Sequence, residues 1–360
     1  MSELSRPKKE APKVSIIITN FRETDYLMQC LSAVSKTDYP NFEIIVVDYG
    51  TDGLERCLRS EIAQIKLIRL DHDPGVAAAR NFGLRNSDGE LLAFLDNDTI
   101  PDPDWLKNSI PLLLADSRIG AVQPLLLDFS NPQYVDGAGS FVDISGYPME
   151  SGRLFNRDRK HPESFSKVEP IFGASGASFI VKREAIRKVG AFDEAFIIDL
   201  EDLDLSWRIR LAGYEILLAP DSKVFHRRRS KQMKDSGYRS MREFCLLKNQ
   251  LLCLIKNAES RSLLKYLPLI IASYSVRFFM PRKIICVLAL RAFVWNMSVL
   301  PVSVKKRQMI QRIVRKVPDS ELKAFIVPFP VILFSIFFGT ETLTRLVEAV
   351  QQQQKWNSPI

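Results

Sequence analysis

Short apolar runs alternate with helical apolar spacing over the first hundred residues. Four of the runs are predicted strands: residues 14–19, 43–47, 66–70 and 91–95. Between the first two runs, apolar residues recur at i, i+3, i+4 and i+7 and predict a helix: Leu27, Cys30, Leu31 and Val34. This helix is expected to end before Pro40, and a second helix of small residues carries Arg80. Strand–helix–strand units of this length predict a parallel sheet with right-handed crossovers.

Two carboxylates stand one residue apart where the fourth run ends. Asp96 and Asp98 follow the apolar residues 91–95 directly, at the point where the predicted strand emerges at the carboxyl edge of the sheet. Open α/β folds bind their ligands at this edge. Because two such close acids repel each other, the pair favours a divalent cation held by oxygen ligands, which in turn neutralises a diphosphate. An Asp-rich turn that caps the strand is the simpler alternative, and so short a motif does not exclude it.

Charge is distributed unevenly along the chain. The 134 residues after His226 contain 24 Lys and Arg against 7 Asp and Glu, a net charge of +17, whereas the residues up to His226 carry −9. The 360 residues are 46% apolar and 26% charged, which is ordinary for a globular protein and argues against disorder. The division indicates an acidic catalytic body joined to a basic segment that is built for an anionic surface, either phospholipid or nucleic acid.

The start of the chain and the cysteines indicate the compartment. Residues 1–12 form a polar tail without the apolar core of a secretory signal, so catalysis is expected in the cytosol. The five cysteines are odd in number and show no Cys-x-x-Cys spacing. They are therefore expected to be free, buried thiols rather than metal ligands or redox groups.

From about residue 237 the pattern changes to long helical segments. Apolar stretches lie at 266–276, 284–300 and 324–340, and the last contains Pro328 and Pro330. None provides the about 20 apolar residues of a spanning helix. Basic residues at the edges and aromatic residues among the apolar ones favour helices that lie in a cytoplasmic membrane interface. The core of a helical domain and a true span at 324–340 are the alternatives.

Three acids crowd the first turn of a further predicted helix: Glu201, Asp202 and Asp204. Its apolar face consists of four residues: Leu200, Leu203, Trp207 and Leu211. The helix dipole stabilises acids at this end by about 0.3–1 kcal/mol each, which explains part of the pattern. Asp204 and Arg208 have the spacing of an intrahelical ion pair. Glu201 and Asp202 are the first residues of the helix, where a side chain can project into a cleft and act as a general base.

His226 ends a strand-like run and precedes three arginines, Arg227 to Arg229. An isolated histidine is more often a surface or core residue than a ligand. A neutral imidazole beside a carboxylate pair can nevertheless complete a cation site, and the arginines could face phosphates.

The order of these motifs resembles the family 2 glycosyltransferases with the GT-A fold. The likeness covers roughly residues 12–230 and rests on eight elements: Val14–Phe21, 46–48, 75–81, 96–98, 173–177, 190–194, 201–205 and His226. It implies an α/β fold, a GT-A sandwich that binds a nucleotide sugar on a mostly parallel sheet, followed by a helical C-terminal region. The implied catalytic domain is 13–236, with a nucleotide-binding half at 13–100 and an acceptor half at 101–236. Residues 237–360 then form the basic, membrane-associated helical region.

The resemblance also implies roles for individual residues. The nucleotide sugar is expected to contact Thr19, Asn20, Phe21, Asp48, Arg80 and Asp96. A Mn²⁺ or Mg²⁺ ion is expected on Asp96, Asp98 and His226. Asp202 maps onto the catalytic base, and the acceptor or supporting residues are Glu201, Gly176 and Trp207. Two departures from the family pattern, the shortened stretch 48–52 and Asp73 in place of the common Asn, leave the identity of the nucleotide base open.

The implied reaction is inverting transfer of a sugar from a nucleotide-diphosphate sugar to a hydroxyl group. The basic, apolar C-terminal region favours an acceptor that is a lipid-linked or cell-surface glycan precursor, at the cytoplasmic face of the membrane, and no nucleic acid partner is expected. A haloacid-dehalogenase-type phosphatase is the alternative enzyme, because its nucleophile also lies in an Asp-x-Asp motif after a strand. A membrane- or RNA-binding protein with a decayed catalytic body is the non-enzymatic alternative.

Overall fold

The computed structural model describes residues 11–58, 65–154, 158–228, 235–279 and 283–356. Residues 1–10 of the predicted tail and Arg229 lie outside these ranges. The fold is built on one large mixed sheet, whose main strands lie side by side in the order 169–170, 215–226, 119–128, 178–182, 91–96, 14–21, 42–49 and 65–70. Helices cover both faces of the sheet, and a helical C-terminal region packs on the same core.

Four parallel strands form one half of the sheet: β1 (Val14–Phe21), β2 (Phe42–Tyr49), β3 (Ile65–Leu70) and β4 (Leu91–Asp96). Three helices connect them: α1 (Thr24–Val34), α2 (Leu54–Leu58) and α3 (Val76–Arg85). The register pairs Phe21 with Tyr49, and Thr19 with Asp96. The carboxyl ends of these strands therefore meet at one edge. The predicted strands and the apolar face of α1 are confirmed.

The other half of the sheet mixes strand directions. Its strands are β5 (Thr99–Pro101), β6 (Ile119–Asp128), β7 (Val135–Gly137), β12 (Glu169–Pro170), β13 (Ser178–Lys182) and β14 (Glu215–His226). The helices are α4 (Trp105–Ala115), α5 (Arg183–Val189) and α6 (Glu201–Leu211). Strand β13 runs antiparallel between β4 and β6, whereas β6 and β14 are parallel. The long strands are therefore mostly parallel, as predicted, with one inserted antiparallel strand.

Short elements cover one end of the sheet. Strands β8 (Ser140–Asp143), β9 (Pro148–Glu150) and β15 (Ile326–Val327) form a small second sheet, and β10 (Arg153–Leu154) pairs with β11 (Asp158–Arg159). Turns of 3₁₀-helix lie at Pro162–Phe165, Glu194–Phe196 and Asp319–Phe325. Because β15 comes from the C-terminal region and pairs with β8, the two parts of the chain share a sheet.

The C-terminal region contains α7 (Ser236–Asn257), α8 (Ser260–Phe279), α9 (Lys283–Ser298), α10 (Leu300–Met309), a π-helical turn (Ile310–Val314), α11 (Val331–Phe334) and α12 (Thr340–Trp356). Part of it shares the core of the sheet, because Leu252, Cys253 and Leu343 lie in one hydrophobic cluster with Ile17 and Phe94. A second, smaller cluster is formed within the region by Leu247 of α7 and Leu288, Ala289 and Ala292 of α9. The boundary predicted at 236/237 falls inside the first turn of α7.

The apolar stretch 324–340 is not one helix. It is divided among the end of a 3₁₀ turn, β15, α11 and the first residue of α12, and Pro328 and Pro330 lie at the breaks. Proline interrupts a helix because it lacks the backbone N–H and clashes with the preceding turn. A single spanning helix in this stretch, the alternative considered above, is therefore wrong. In the part of the chain that the structure describes, only Ile284–Ser298 and Leu300–Val314, which meet at 64°, have the length and apolarity of a membrane span, and only as a pair.

The cysteines are all free thiols, as expected. Cys30, Cys245 and Cys253 are buried, but Cys57 is exposed on α2 and departs from the expectation of burial. This short helix covers one end of the sheet and leaves Cys57 on its outer side.

Candidate active site

A cavity of about 690 Å³ opens where the parallel strands end. Its wall includes the last residues of β1, β2 and β4, which are Phe21, Tyr49 and Asp96. The first residues of α6 and the last residue of β14 complete this part of the wall. The carboxylates that the sequence places after strands and at a helix start therefore converge on one cavity.

Arg80 is a buried cation at the centre of this wall. Its Nη1 donates to Oε1 of Glu201 at 2.6 Å, and its Nη2 donates to Oδ1 of Asp96 at 2.9 Å and to the carbonyl oxygen of Gly176 at 2.8 Å. A Cβ atom at Gly176 would lie 2.7 Å from Nη2, so only glycine lets the guanidinium approach this closely. Arg80 thus joins the strand-end acid of the nucleotide-binding half to the first acid of α6.

Asp96, Asp98 and His226 form a three-residue cluster. One ligand atom from each lies within 4.8 Å of the others, and His226 Nε2 is 3.3 Å from Asp98 Oδ1. β4 ends at Asp96, and β14, paired with β5, brings His226 opposite Thr99. Two carboxylates and an imidazole nitrogen are a donor set that suits Mn²⁺ or Mg²⁺.

Burial and charge act against each other within this cluster. Burial raises the pKa of Asp96, with repulsion from Asp98 adding to it and Arg80 opposing it. Burial also acts to raise the pKa of Asp98, but the adjacent His226 imidazole lowers it below its usual value. Burial acts to lower the pKa of His226, yet the carboxylates of Asp98 and Asp136 raise it to about 10. The two neighbouring carboxylates therefore favour the protonated form of the His226 imidazole.

Asp136 is a site residue that the sequence analysis missed. It lies on β7, and its Oδ2 is 2.8 Å from Nδ1 of His226. Arg228 donates to the same carboxylate at 2.7 Å and also pairs with Glu150. Although burial opposes it, His226 and Arg228 lower the pKa of Asp136. No periodicity or neighbouring motif singles out this residue, because it is one acid on a three-residue strand about 90 positions before its partner.

Asp202 and Glu201 occupy the first turn of α6, as predicted. Asp202 Oδ2 accepts from the Gly176 N–H at 2.6 Å, and its Oδ1 accepts from the Leu203 N–H at 2.7 Å. Burial raises the pKa of Asp202, against Arg80 and these two N–H groups. Burial and the neighbouring Asp202 raise the pKa of Glu201 to about 8, against the effect of Arg80. Both acids line the cavity.

The predicted nucleotide residues divide into two groups. Thr19 and Phe21 line the cavity, and the Phe21 ring stacks on Tyr49 with 5.1 Å between centroids. Asn20 and Asp48 are buried behind this surface, where Asn20 Nδ2 donates to Asp48 Oδ1 at 2.7 Å. The second pair therefore supports the wall rather than forming its surface.

Trp207 does not lie in the cavity. Its side chain is buried in the hydrophobic core and packs edge-on against Phe172, with 5.4 Å between ring centroids. It is one turn too far along α6 to reach the surface that Glu201 and Asp202 line. Of the two roles expected for Trp207, acceptor contact or support, its burial is compatible only with support. Asp204 and Arg208 form the predicted ion pair, at 2.9 Å.

One wall of the cavity comes from beyond the predicted catalytic domain. Four residues of α7 line it: Tyr238, Met241, Arg242 and Leu246. The basic character of this part of the chain predicts membrane association rather than a place in the cavity wall. The cavity therefore extends across the boundary predicted at 236/237.

Comparison with known sequences identifies the family. The sequence model described as "Glycosyl transferase family 2" matches residues 15–190, which include Arg80, Asp96, Asp98 and Asp136. Over these residues the chain belongs to glycosyl transferase family 2. The match accounts for the Asp-x-Asp motif, so the phosphatase alternative, which rested on that motif, has no support.

Two relatives of this family 2 chain show how far the similarity extends. The O-antigen biosynthesis protein RfbC of Myxococcus xanthus is 29% identical over 241 residues, which are 64% of this chain and 18% of RfbC. Glycosyltransferase AglE of Haloferax volcanii is 28% identical over 216 residues, which are 58% of this chain and 65% of AglE. The chain thus spans less than two thirds of the length of either relative.

A solved structure confirms the predicted GT-A architecture. The crystal structure of GalNAc-T7 with UDP, GalNAc and Mn²⁺ aligns with a TM-score of 0.60 over 82% of this chain and 58% of that one. The sequence identity is 18%, so the likeness is one of fold.

Proposed function

We propose that this family 2 chain is a metal-dependent, inverting glycosyltransferase that moves a sugar from a nucleotide-diphosphate sugar to a hydroxyl group. The observation that carries the proposal is the meeting of Asp202 with the Asp96, Asp98 and His226 cluster on one cavity. A base and a cation-binding cluster are the two parts that a displacement at a sugar carbon with a diphosphate leaving group needs. Intact acids at all these positions argue against a decayed catalytic body.

The cation is proposed to bind Asp96, Asp98 and His226. Their donor atoms are close enough to share one ion, and the carboxylates supply the hard oxygen ligands that Mn²⁺ and Mg²⁺ prefer. A bound cation offsets the negative charge that develops on the departing diphosphate. Asp136 orients His226 by accepting a hydrogen bond from Nδ1–H, so that Nε2, which faces Asp98, is the nitrogen that would bind the cation after losing its proton.

Asp202 is the proposed general base. It takes the proton of the acceptor hydroxyl while the hydroxyl oxygen forms a bond to the sugar carbon and the bond from that carbon to the diphosphate breaks. Each carboxylate oxygen accepts one backbone N–H and retains a lone pair for this proton. The raised pKa of Asp202 makes it a stronger base than a solvated aspartate.

Glu201 and Gly176 support the base and, in our proposal, the acceptor. Glu201 Oε1 accepts from Arg80, whereas its buried Oε2 has no hydrogen-bond partner among the described residues. Oε2 can therefore bond a hydroxyl group, as a donor when the acid is protonated and as an acceptor when it is ionised. Gly176 contributes its N–H to Asp202 and its carbonyl oxygen to Arg80. The geometry of the base therefore depends on both residues.

The nucleotide is proposed to lie against the ends of β1 and β2. The stacked rings of Phe21 and Tyr49 offer an apolar surface to a base. Asn20 and Asp48 hold this surface from behind, and Thr19, Arg80 and Asp96 line or close the path toward the cation cluster. The departures noted at 48–52 and at Asp73 lie in or beside this part of the wall, so the base is not assigned.

The acceptor is proposed to be lipid-linked or a cell-surface glycan precursor at the cytoplasmic face of a membrane. Large apolar side chains are exposed along α8, α9 and α10, among them Leu264, Ile271, Val287, Phe293, Val294 and Val302. Such a concentration on a folded surface indicates an interaction site. Because the region also carries a net charge of +17 after His226, an anionic lipid surface suits it best. One relative, RfbC, is named as an O-antigen biosynthesis protein, and this name is consistent with a glycan product.

A panel of nucleotide sugars tests the proposal. Each is incubated with the full chain, anionic vesicles that carry extracted lipid-linked glycan precursors, and either Mn²⁺ or Mg²⁺, and release of the nucleoside diphosphate is measured. We expect release with at least one donor, loss of that release in chelator, and inversion at the sugar carbon by NMR of the product. Release of inorganic phosphate from simple phosphomonoesters, with no release from any nucleotide sugar, would contradict it.

A further inference from the structure

The four residues before Glu201 form a strained turn. Ile197 has φ 65° and ψ −70°, and the Ile198 N–H donates to the Phe196 carbonyl oxygen at 2.7 Å. Ile197 is therefore the central residue of a γ-turn of the rare, strained kind. Asp199 and Leu200 follow with φ of 64° and 67°. Side chains other than glycine avoid this region, and β-branched ones most of all.

Helix α7 holds this turn from one side. The buried Asn249 Nδ2 donates to the carbonyl oxygens of Phe196, Ile198 and Asp199 at 3.0, 2.9 and 2.6 Å. Arg242, two turns earlier on the helix, donates from both Nε and Nη2 to the two carboxylate oxygens of Asp199. The contacts of Asn249 go to backbone atoms, so they fix the path of the chain and not only one side chain.

Helix α3 holds the turn from the other side. The Ala77 N–H donates to the Ile197 carbonyl oxygen at 3.2 Å, and a Cβ atom at Gly75 would lie 2.7 Å from that oxygen. Gly75 also has φ of +79°, so glycine is favoured here on both grounds. Three residues after Ala77, α3 carries Arg80, which donates to Glu201 immediately after the turn. The turn therefore lies between the helix that carries Arg80 and the helix that carries Asn249.

We propose that Asn249, assisted by Arg242, is a positioning residue that holds the turn 197–200 against α3 and so fixes Glu201 and Asp202 relative to Arg80. Strained backbone persists only where the surrounding structure determines it fully. Here the determining contacts come from the C-terminal region, outside the residues that match the family model. The loss of turnover expected when Asn249 is changed rests on the proposed function. The loosening of the turn expected from the same change does not.

Removing the Asn249 amide lets the turn relax toward ordinary backbone angles. The start of α6 then moves, and a displacement of about 1 Å at a reacting group is enough to lower turnover about 100-fold. Binding of the nucleoside diphosphate should change little, because the cation cluster and the Phe21–Tyr49 surface lie on β1, β2, β4 and β14.

The full chain carrying Asn249→Ala is compared with wild type and with Asn296→Ala. Asn296 is an equally matched control, because it is a buried asparagine whose Nδ2 also donates to backbone carbonyls, those of Lys248 and Ala292, and it does not touch the turn. Hydrogen exchange of the peptide 195–204 is measured by mass spectrometry, with calorimetry of UDP and Mn²⁺ and thermal unfolding alongside. Arg242→Ala, a partly exposed position, serves as a second variant in the exchange measurement.

We expect the 195–204 peptide to exchange about tenfold faster or more in Asn249→Ala, and faster in Arg242→Ala, but at the wild-type rate in Asn296→Ala. With the donor that turns over in the panel above, kcat should fall about 100-fold in Asn249→Ala while the donor KM stays within about threefold. Equal exchange in all four proteins overturns the proposal whether or not a donor is found. So does an equal loss of kcat in Asn249→Ala and Asn296→Ala.

Discussion

His226 Nδ1 lies 2.8 Å from Asp136 Oδ2, while Nε2 of the same ring lies 3.3 Å from Asp98 Oδ1. The imidazole is thus held between a carboxylate that accepts a hydrogen bond from Nδ1 and the proposed cation cluster. Outer carboxylates of this kind fix the tautomer and orientation of a metal-binding histidine. The contribution of Asp136, which lies outside the cluster, to cation binding can therefore be measured.

Asp136→Asn should weaken Mn²⁺ binding about 10- to 100-fold, because the amide keeps the shape but loses the charge that orients the His226 ring. Free Mn²⁺ is counted by electron paramagnetic resonance in the presence of UDP. Asp116→Asn, which changes an acid paired with Arg118 away from the cavity, is the matched control and should bind like wild type. Wild-type affinity in Asp136→Asn would show that the hydrogen bond is only structural.

Mn²⁺ affinity should rise as the pH is raised. The pKa of His226 is raised to about 10 without a metal, so at neutral pH the ring holds a proton that a cation has to displace. Displacement of one proton predicts an affinity that rises about tenfold per pH unit below that pKa. Calorimetry at pH 6.5 to 8.5 in buffers of different ionisation enthalpy counts the released protons. Affinity that is constant over this range would remove His226 from the ligand set.

Asp202→Asn should retain UDP and Mn²⁺ binding while turnover falls by about 100-fold or more, because the amide fills the same space but accepts no proton. Binding is measured by calorimetry and turnover by nucleoside diphosphate release. Asp221→Asn, an exposed position before the end of β14, should leave both unchanged. Turnover above about a tenth of the wild-type rate in Asp202→Asn would exclude this base.

Lys256→Met should destabilise the whole chain by about 1.5–3 kcal/mol, because Asp193 and Asp204 each lose one of two cations and keep only Lys306 and Arg208. Lys256 is 2% exposed, and its Nζ lies 2.6 Å from Asp193 and 2.9 Å from Asp204. Urea unfolding followed by circular dichroism measures the loss. The exposed pair Lys107–Asp38 provides the control: Lys107→Met should cost no more than about 1 kcal/mol. An equal loss in the free energy of unfolding for the two variants would mean that Lys256 and its carboxylate partners are solvated in solution.

Vesicle binding should fall when the exposed apolar surface of α9 is charged. Val287 and Val294, 56% and 57% exposed and two turns apart, are both changed to Asp in the full chain. Leu114→Asp on α4, where the leucine is 49% exposed, is the control on the catalytic body. Co-sedimentation with anionic vesicles should decrease in the α9 variant and not in the control, and high salt should weaken wild-type binding only in part. Unchanged sedimentation of the α9 variant would assign its apolar surface to another partner.

The sequence predicts the parallel half of the sheet well because that half is formed by local apolar runs. Strands that are buried on both faces read as continuous apolar segments, which a sequence reveals without knowledge of their neighbours. The antiparallel insertion of β13 was not predicted, because strand order depends on long-range packing that a five-residue run does not encode. The division of 324–340 could have been inferred more firmly, since Pro328 and Pro330 are visible in the sequence.

The residues of the site likewise divide into those that the sequence reveals and those that it does not. Asp96, Asp98, Asp202 and His226 stand at the ends of strands or at the start of a helix, so their positions carry a signal. Asp136 and Asn249 carry none, because each is a single polar residue whose hydrogen-bond partners are remote in sequence. Trp207 has the spacing of an apolar helix face, and such a face can turn toward the core as well as toward a ligand.

On the proposed function, the wall that α7 gives to the cavity places donor and acceptor selectivity on different parts of the chain. Phe21, Tyr49 and Asp96 come from the first hundred residues, whereas Tyr238, Met241 and Leu246 come from beyond the family match. Chimaeras that exchange the segment after residue 236 between relatives should therefore inherit donor preference from one parent and acceptor preference from the other. Since Leu252 and Cys253 of that segment also lie in the common core, such chimaeras will fold only when the core residues are exchanged as a set.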